Sequence, residues 1–348
     1  MTAAPIVPTR ASFAPELTRP PSRYIRVLEE LWAQHEAPRA PDAPTVVSTF
    51  AGAGGSSLGY SAAGFRERLA VEWTPVHGET FKRNFPDVPL YLGDIGKLSV
   101  AQALELAQLA PGELDVFDGS PPCQGFSTAG TRQIDDPRNQ LFQDFTRLLR
   151  GLKPRAFVME NVSGMVKGKM RGIFVEILGE LKASGYRVRA ALLNAADFGV
   201  PQVRYRMIFL GAREDLNIEP TFPALAAQRV TVAHALGHLP IGERTIRAED
   251  ALAKWKRSPL GHRKKFNTPK INRLHPNDRA PTIVSVPPYH WHVPRPLEPE
   301  ECALLQSFPE AFAFVGTKAE RQKQVGNAVA PLMMRAIALE LRKHILRK

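Results

Sequence analysis

Between residues 45 and 210 short apolar runs alternate with helical patterns, and this alternation constrains the chain more than any other feature. The runs at 45–50, 68–71, 114–117, 156–159, 187–193 and 207–210 are rich in Val, Ile, Leu and Phe and are bounded by polar or turn residues. They read as buried strands. Helical patterns fill the intervals, from a glycine turn to Ala63 and at 98–109, 140–152 and 170–184. Strands that alternate with helices predict an α/β fold with a mostly parallel, doubly wound sheet. The runs at 187–193 and 207–210 are placed as a hairpin at its edge. Open sheets of this kind carry their chemistry at the carboxyl ends of strands. The residues that follow each run are therefore the ones to inspect.

The run at 114–117 ends in Asp118 and leads into Gly119-Ser120-Pro121-Pro122-Cys123-Gln124-Gly125-Phe126-Ser127. Two prolines exclude a helix there and hold the chain extended. Cys123 is thus expected on a stiff, exposed loop, where a thiol is a candidate nucleophile and not a core residue. The only other cysteine, Cys302, sits at the apparent start of a helix and reads as core packing. Two distant cysteines make no disulfide framework and suit a reducing cytosol.

After the first strand, Ala51-Gly52-Ala53-Gly54-Gly55-Ser56-Ser57 precedes a helix. Glycines let a backbone approach a ligand, and a helix start offers free N–H groups, so a nucleotide-type cofactor is expected here. Glu72 ends the next strand, where an acid accepts hydrogen bonds from ribose hydroxyls. Trp73 beside it can stack on an adenine, and Asp94 can accept from an exocyclic amine. The polar stretch 128–139 reads as a lid, and Gln202, Arg204 and Arg206 are expected on one face of a strand.

Residues 212–280 lose the alternation and read as a separate small domain, while 281–348 return to complete the domain that begins at 45. The net charge is +12, and 254–273 hold Lys254, Lys256, Arg257, Arg263, Lys264, Lys265, Lys270 and Arg273 with no acid. Interleaved with Trp255, Phe266 and Ile271, this run reads as a nucleic-acid footprint. Residues 1–44 are rich in Pro and Ala. Within them Ser22 can cap a helix whose Ile25, Leu28, Leu31 and Trp32 share one face, which is expected to dock on the main domain. Pro287-Pro288-Tyr289 follows a valine and no strand leads into it, so it is set aside as a chance match to an amino-methyltransferase signature. No metal-ligand cluster, signal segment or membrane span is read, so a soluble, cytoplasmic and nucleoid-associated enzyme without a metal is expected.

Five short motifs occur in one order: Phe50-Ala51-Gly52-Ala53-Gly54-Gly55, Pro122-Cys123-Gln124, Glu160-Asn161-Val162, the Gln202, Arg204, Arg206 triplet, and Gly326-Asn327-Ala328-Val329. In this order the chain resembles the bacterial-type DNA (cytosine-5) methyltransferases, from Phe50 to about Ile345. The resemblance implies a Rossmann-like catalytic domain, S-adenosylmethionine as cofactor and double-stranded DNA as substrate. It implies that Phe50, Gly52, Gly54, Gly55, Glu72, Trp73, Asp94, Ile95, Pro122, Leu141, Asn327 and Val329 surround the cofactor. Cys123 would add to carbon 6 of a flipped-out cytosine, making carbon 5 nucleophilic. Glu160 would contact N3 and the N4 amine, Arg206 the O2 oxygen, and Arg204 would support the site. Gln124, Ser127 and Arg132 would cover the flipped base and fill its gap, while the 212–280 region would recognise the target. A monomer is implied, with or without a cognate restriction endonuclease. Ser120-Pro121 departs from a frequent Gly-Phe and leaves Pro-Cys unaffected. Two alternatives share these residues: a tRNA cytosine-5 methyltransferase of the same family, and a DNA-binding relative without activity.

Overall fold

The computed structural model describes residues 20–122, 140–166, 171–225, 229–239 and 273–347. One seven-stranded sheet with strand order β3-β2-β1-β4-β5-β7-β6 organises them. The strands are β1 (Thr45–Thr49), β2 (Arg66–Glu72), β3 (Leu90–Leu92), β4 (Val116–Gly119), β5 (Ala156–Val162), β6 (Tyr186–Asn194) and β7 (Tyr205–Arg213). The first five pair in parallel, whereas β7 runs antiparallel to both β5 and β6. The expected edge hairpin is present, with β7 inserted between β5 and β6. The order reverses between β1 and β4, so the turns after these two strands open into one crevice.

Side chains alternate along each strand and build two apolar layers. Val46, Val116, Val158, Ile208 and Leu210 face one way, while Val47, Phe117, Phe157, Met159 and Phe209 face the other. The second layer is covered by α4 (Val100–Ala107), α5 (Gln140–Leu152) and α6 (Arg171–Ala183). The first is covered by α2 (Gly55–Ala62), α3 (Pro75–Asn84) and three late helices. These are α8 (Pro299–Leu305), α9 (Lys318–Asn327) and α10 (Pro331–Leu341), which follow a short α7 (Val232–Leu236). Helices from the segment 281–348 thus pack on the same sheet as the strands from 45 onward.

The N-terminal helix α1 (Arg23–Glu36) docks as its pattern predicts. Ser22 Oγ accepts from Ile25 N, and Ile25, Leu28 and Leu31 are buried. The Tyr24 hydroxyl donates to the Leu304 carbonyl at 2.6 Å, joining α1 to α8. Val230, Val232, Ala235, Leu236, Leu274 and Ala280 also lie in this layer. These described flanks of 212–280 therefore belong to the main core.

One patch of the first layer is polar. Ser48 on β1 stands level with Asp118 on β4, and Glu67 on β2 approaches them beneath α2. Glu67 Oε1 accepts from Ser57 Oγ at 2.9 Å, while its Oε2 is buried without a hydrogen-bond partner. Burial pushes the Glu67 carboxyl up to about 7, against the opposing effect of the Ser48 and Ser57 hydroxyls. The fold therefore favours neutral Glu67, and that contribution is lost as pH rises from the ordinary carboxylate range through about 7. Glu67→Gln is expected to change urea stability little at pH 5 and to raise it by roughly 2 kcal/mol at pH 8.5. Equal effects at both pH values would show that Glu67 does not titrate with folding.

Candidate active site

Two turns meet at the crevice. Phe50, at the end of β1, has φ 55°, a left-handed conformation that costs a non-glycine residue about 1–2 kcal/mol. Behind it the glycines are fixed by packing. Gly54 has φ 97°, and a Cβ there would meet the Phe85 ring at 2.4 Å. A Cβ on Gly55 would lie 2.4 Å from the Val329 carbonyl oxygen. The helix after the glycine turn thus lies directly against the Gly326–Val329 stretch.

A cavity of about 570 Å³ opens beside this turn, lined by Phe50, Glu72, Trp73, Asp94, Ile95, Pro122 and Leu141 among others. Its size suits a nucleoside with a short charged tail. Glu72 is largely buried at the end of β2, with Oε2 accepting from Gly52 N and Oε1 from Thr74 N, each at 2.8 Å. His77 Nδ1 lies 3.3 Å from Oε1. Burial works to raise the Glu72 pKa, but donors on His77, Thr74 and Gly52 outweigh it and hold the carboxyl below its usual range. An ionised, firmly held acceptor is what ribose hydroxyls require. Trp73 is 67% exposed at the rim and offers a flat apolar surface there. Asp94 accepts from Gly96 N through one oxygen, which leaves the other for a ligand amine.

The second turn carries Pro121 and Pro122. Pro122 lines this cavity, and the buried Asn161 side chain donates to the Pro121 carbonyl at 2.9 Å. The loop is therefore clamped between the cavity and β5. Next to Asn161, Glu160 pairs with Arg206, with Arg206 Nε 2.7 Å from Glu160 Oε1. Antiparallel register puts Val162 opposite Arg206, so Glu160, Val162 and Arg206 share one face. Arg206 reaches diagonally across to the carboxylate. Cys123 lies outside the described residues, as do Gln124, Ser127, Arg132, Lys254, Lys256, Arg257, Arg263, Lys264, Lys265 and Lys270. Covalently, Cys123 is the residue after Pro122.

One expectation is corrected. Gln202 and Arg204 do not share a strand face with Arg206, because β7 begins at Tyr205 and the two lie in the turn before it. Arg204 is fully buried and donates to the carbonyls of Ile283, Gly326 and Ala328. It contacts backbone and positions the Gly326–Val329 stretch, so its support is structural. Gln202 does parallel work, accepting from Ile283 N and donating to Leu305 O. Gly52, Gly54, Gly55, Asn327 and Val329 are not among the residues that line the cavity; Asn327 is exposed at the end of α9, and the Val329 backbone packs on Gly55.

A profile of the family described as C-5 cytosine-specific DNA methylase matches residues 45–237 and 240–343. The chain belongs to that family. Among its relatives, the type II methyltransferase M1.HphI of Haemophilus parahaemolyticus is 37% identical over 322 residues, covering 84% of this chain and 85% of the relative. The type II methyltransferase M.XorII of Xanthomonas oryzae pv. oryzae is 31% identical over 366 residues, covering 88% and 86%. A solved structure described as a DNA modification methyltransferase encoded within an E. coli prophage superposes with a TM-score of 0.73 at 28% identity, covering 88% of this chain and 100% of that one. The Entamoeba histolytica methyltransferase EhMeth, 16% identical with a TM-score of 0.67 over 87% of this chain and 98% of its own, shares the fold. The protein is thus a DNA cytosine-5 methyltransferase, of a family that uses S-adenosylmethionine.

The methyltransferase cavity includes groups that sequence reasoning missed. Gln140 and Asp144 line it from α5, and Asp144 is bound by Arg147, which also donates to the Ile95 and Leu98 carbonyls. The available signal was an acid on the buried face of an amphipathic helix. Cys302 is fully buried on α8, where burial pushes its thiol up and out of nucleophilic use. Arg273 donates to the Trp291 carbonyl and so is engaged in the fold. No helix of the described residues is long and apolar enough to cross a membrane. Replacing Trp73 with alanine is expected to raise KM for S-adenosylmethionine about ten-fold, through lost stacking worth about 1–3 kcal/mol, with kcat within about two-fold. Unchanged KM in initial-rate assays would remove Trp73 from the cofactor site.

Proposed function

We propose that the enzyme methylates carbon 5 of a flipped-out cytosine within one short duplex DNA sequence, as the modification enzyme of a type II restriction system or as a lone modifier. The observation that carries this reading is the clamped proline loop. Pro122 faces the cofactor cavity, Asn161 holds Pro121, and the Glu160–Arg206 pair stands beside it. The buried acceptors, the exposed Trp73 and the apolar lining fit S-adenosylmethionine, with Glu72 for the ribose and Trp73 and Ile95 for the adenine. When bound, that cofactor supplies an electrophilic methyl group.

Carbon 5 of cytosine is too weak a nucleophile on its own. The Cys123 thiolate adds to carbon 6, which gives carbon 5 enamine character. Glu160 meets N3 and the N4 amine, and Arg206 meets O2 as charge develops on the ring. After transfer a base removes the carbon 5 proton and the thiolate leaves. A cytosine within a duplex cannot present carbon 6 to a thiol, so the base leaves the stack. The flanks of 212–280 pack in the core, so we place target recognition within 240–272, whose lysines and arginines bind phosphate with a steep salt dependence. All the groups named lie in one chain, which supports a monomer. The test is transfer of labelled methyl from S-adenosylmethionine to duplex DNA and to tRNA by the purified protein. Label in DNA alone is expected; label in tRNA alone would replace this substrate, and none in either would favour a binding role.

A further inference from the structure

The polar patch under α2 sits where an apolar layer is expected, and it touches both halves of the active site. Its centre is Asp118, fully buried at the end of β4, five residues before Cys123 in sequence. The Tyr60 hydroxyl, on α2, donates to Asp118 Oδ1 at 3.2 Å, and both side chains are buried. Thr49 Oγ1 donates to the Asp118 carbonyl at 3.0 Å. Helix α2 is the one that the glycine turn opens, and β4 is the strand that the proline loop continues. Buried polar pairs of this kind fix one arrangement of the elements they join.

Resting on the function proposed above, we infer that Tyr60 and Asp118 are positioning residues for methyl transfer: their hydrogen bond fixes the helix beneath the cofactor against the strand end that carries the Pro-Cys loop. The surroundings of Asp118 oppose its ionisation. Burial raises its pKa well above the ordinary value, and the nearby carboxylates of Glu67 on β2 and Glu160 on β5 raise it further, against hydrogen bonds from Tyr60 and Ser56 on α2. The pair touches neither substrate nor cofactor, so its loss acts through geometry.

The test uses the purified full chain with S-adenosylmethionine and plasmid DNA. Asp118→Asn keeps the acceptor and the neutral state, and kcat is expected within about three-fold of wild type. Tyr60→Phe and Asp118→Leu are expected to lower kcat about ten-fold, with the dissociation constant for S-adenosylhomocysteine within about three-fold of wild type. Tyr60→Phe removes only one hydroxyl, so it decides the matter even where Asp118→Leu does not fold. The inference is overturned by wild-type kcat in Tyr60→Phe, or by Asp118→Asn as impaired as Asp118→Leu. Absence of methyl transfer in the wild type would sink the proposed function itself, a result separate from these.

Discussion

Replacing Cys123 with alanine is expected to lower methyl transfer to DNA by on the order of 10⁴-fold or more, because addition at carbon 6 is the step that makes carbon 5 reactive. Binding of S-adenosylmethionine and of DNA should persist, since the cavity proposed for the cofactor is lined by Glu72, Trp73, Ile95 and Leu141. No second thiol can substitute. Cys302 is buried within α8, with its thiol pushed up by burial and by the acids Glu301, Glu300 and Glu298, against a hydrogen bond with Gln322. Cys302→Ala should therefore leave kcat unchanged. Single-turnover rates of the two variants separate these roles, and equal losses in both would contradict the assignment of Cys123.

Arg204→Met is expected to cost about 3 kcal/mol of stability, measured by urea unfolding. Its guanidinium donates to three buried carbonyls, two of them in the Gly326–Val329 stretch that packs on Gly55. Each carbonyl left without a donor costs about 1–3 kcal/mol, partly offset by removal of a buried cation. Burial, with Arg206 beside it and Glu160 opposing, lowers the Arg204 pKa to about 9, so it remains charged at neutral pH. Arg204→Lys should also destabilise, by roughly 2 kcal/mol, since an ammonium cannot span three carbonyls as a planar fork does. Arg206 is different: its main partner is Glu160, and Arg206→Lys should affect kcat more than stability. Wild-type stability in Arg204→Met together with lost activity would place Arg204 on the substrate instead.

Much of this architecture was legible in the sequence because strands and helices differ in the period of their apolar residues. The five parallel strands, the edge hairpin and the docking face of α1 all follow from that rule. Glu72 and Trp73 were legible because a strand ended there after a glycine turn. Other features depend on tertiary register. The alternation of Gln202, Arg204 and Arg206 looks like one strand, yet Gln202 lies at a single bridge to Ala280 and the strand starts three residues later. Extended chain has the same period whether or not it is paired. Asp118 and Tyr60 stand in unrelated segments, and no local pattern announces that α2 brings them together. Nor does sequence spacing show that Val329 meets Gly55 with its backbone, because that contact belongs to the fold of the returning segment.

The central claim is that this chain methylates cytosine in duplex DNA through Cys123. The most direct measurement is bisulfite sequencing of the plasmid from cells that express the chain or its Cys123→Ala variant, in a host without cytosine methylation of its own. Protected cytosines in one short sequence context, present with the wild type and absent with the variant, are the predicted result. Unprotected plasmid in the presence of soluble wild-type protein, or the same protection from the alanine variant, would contradict the account.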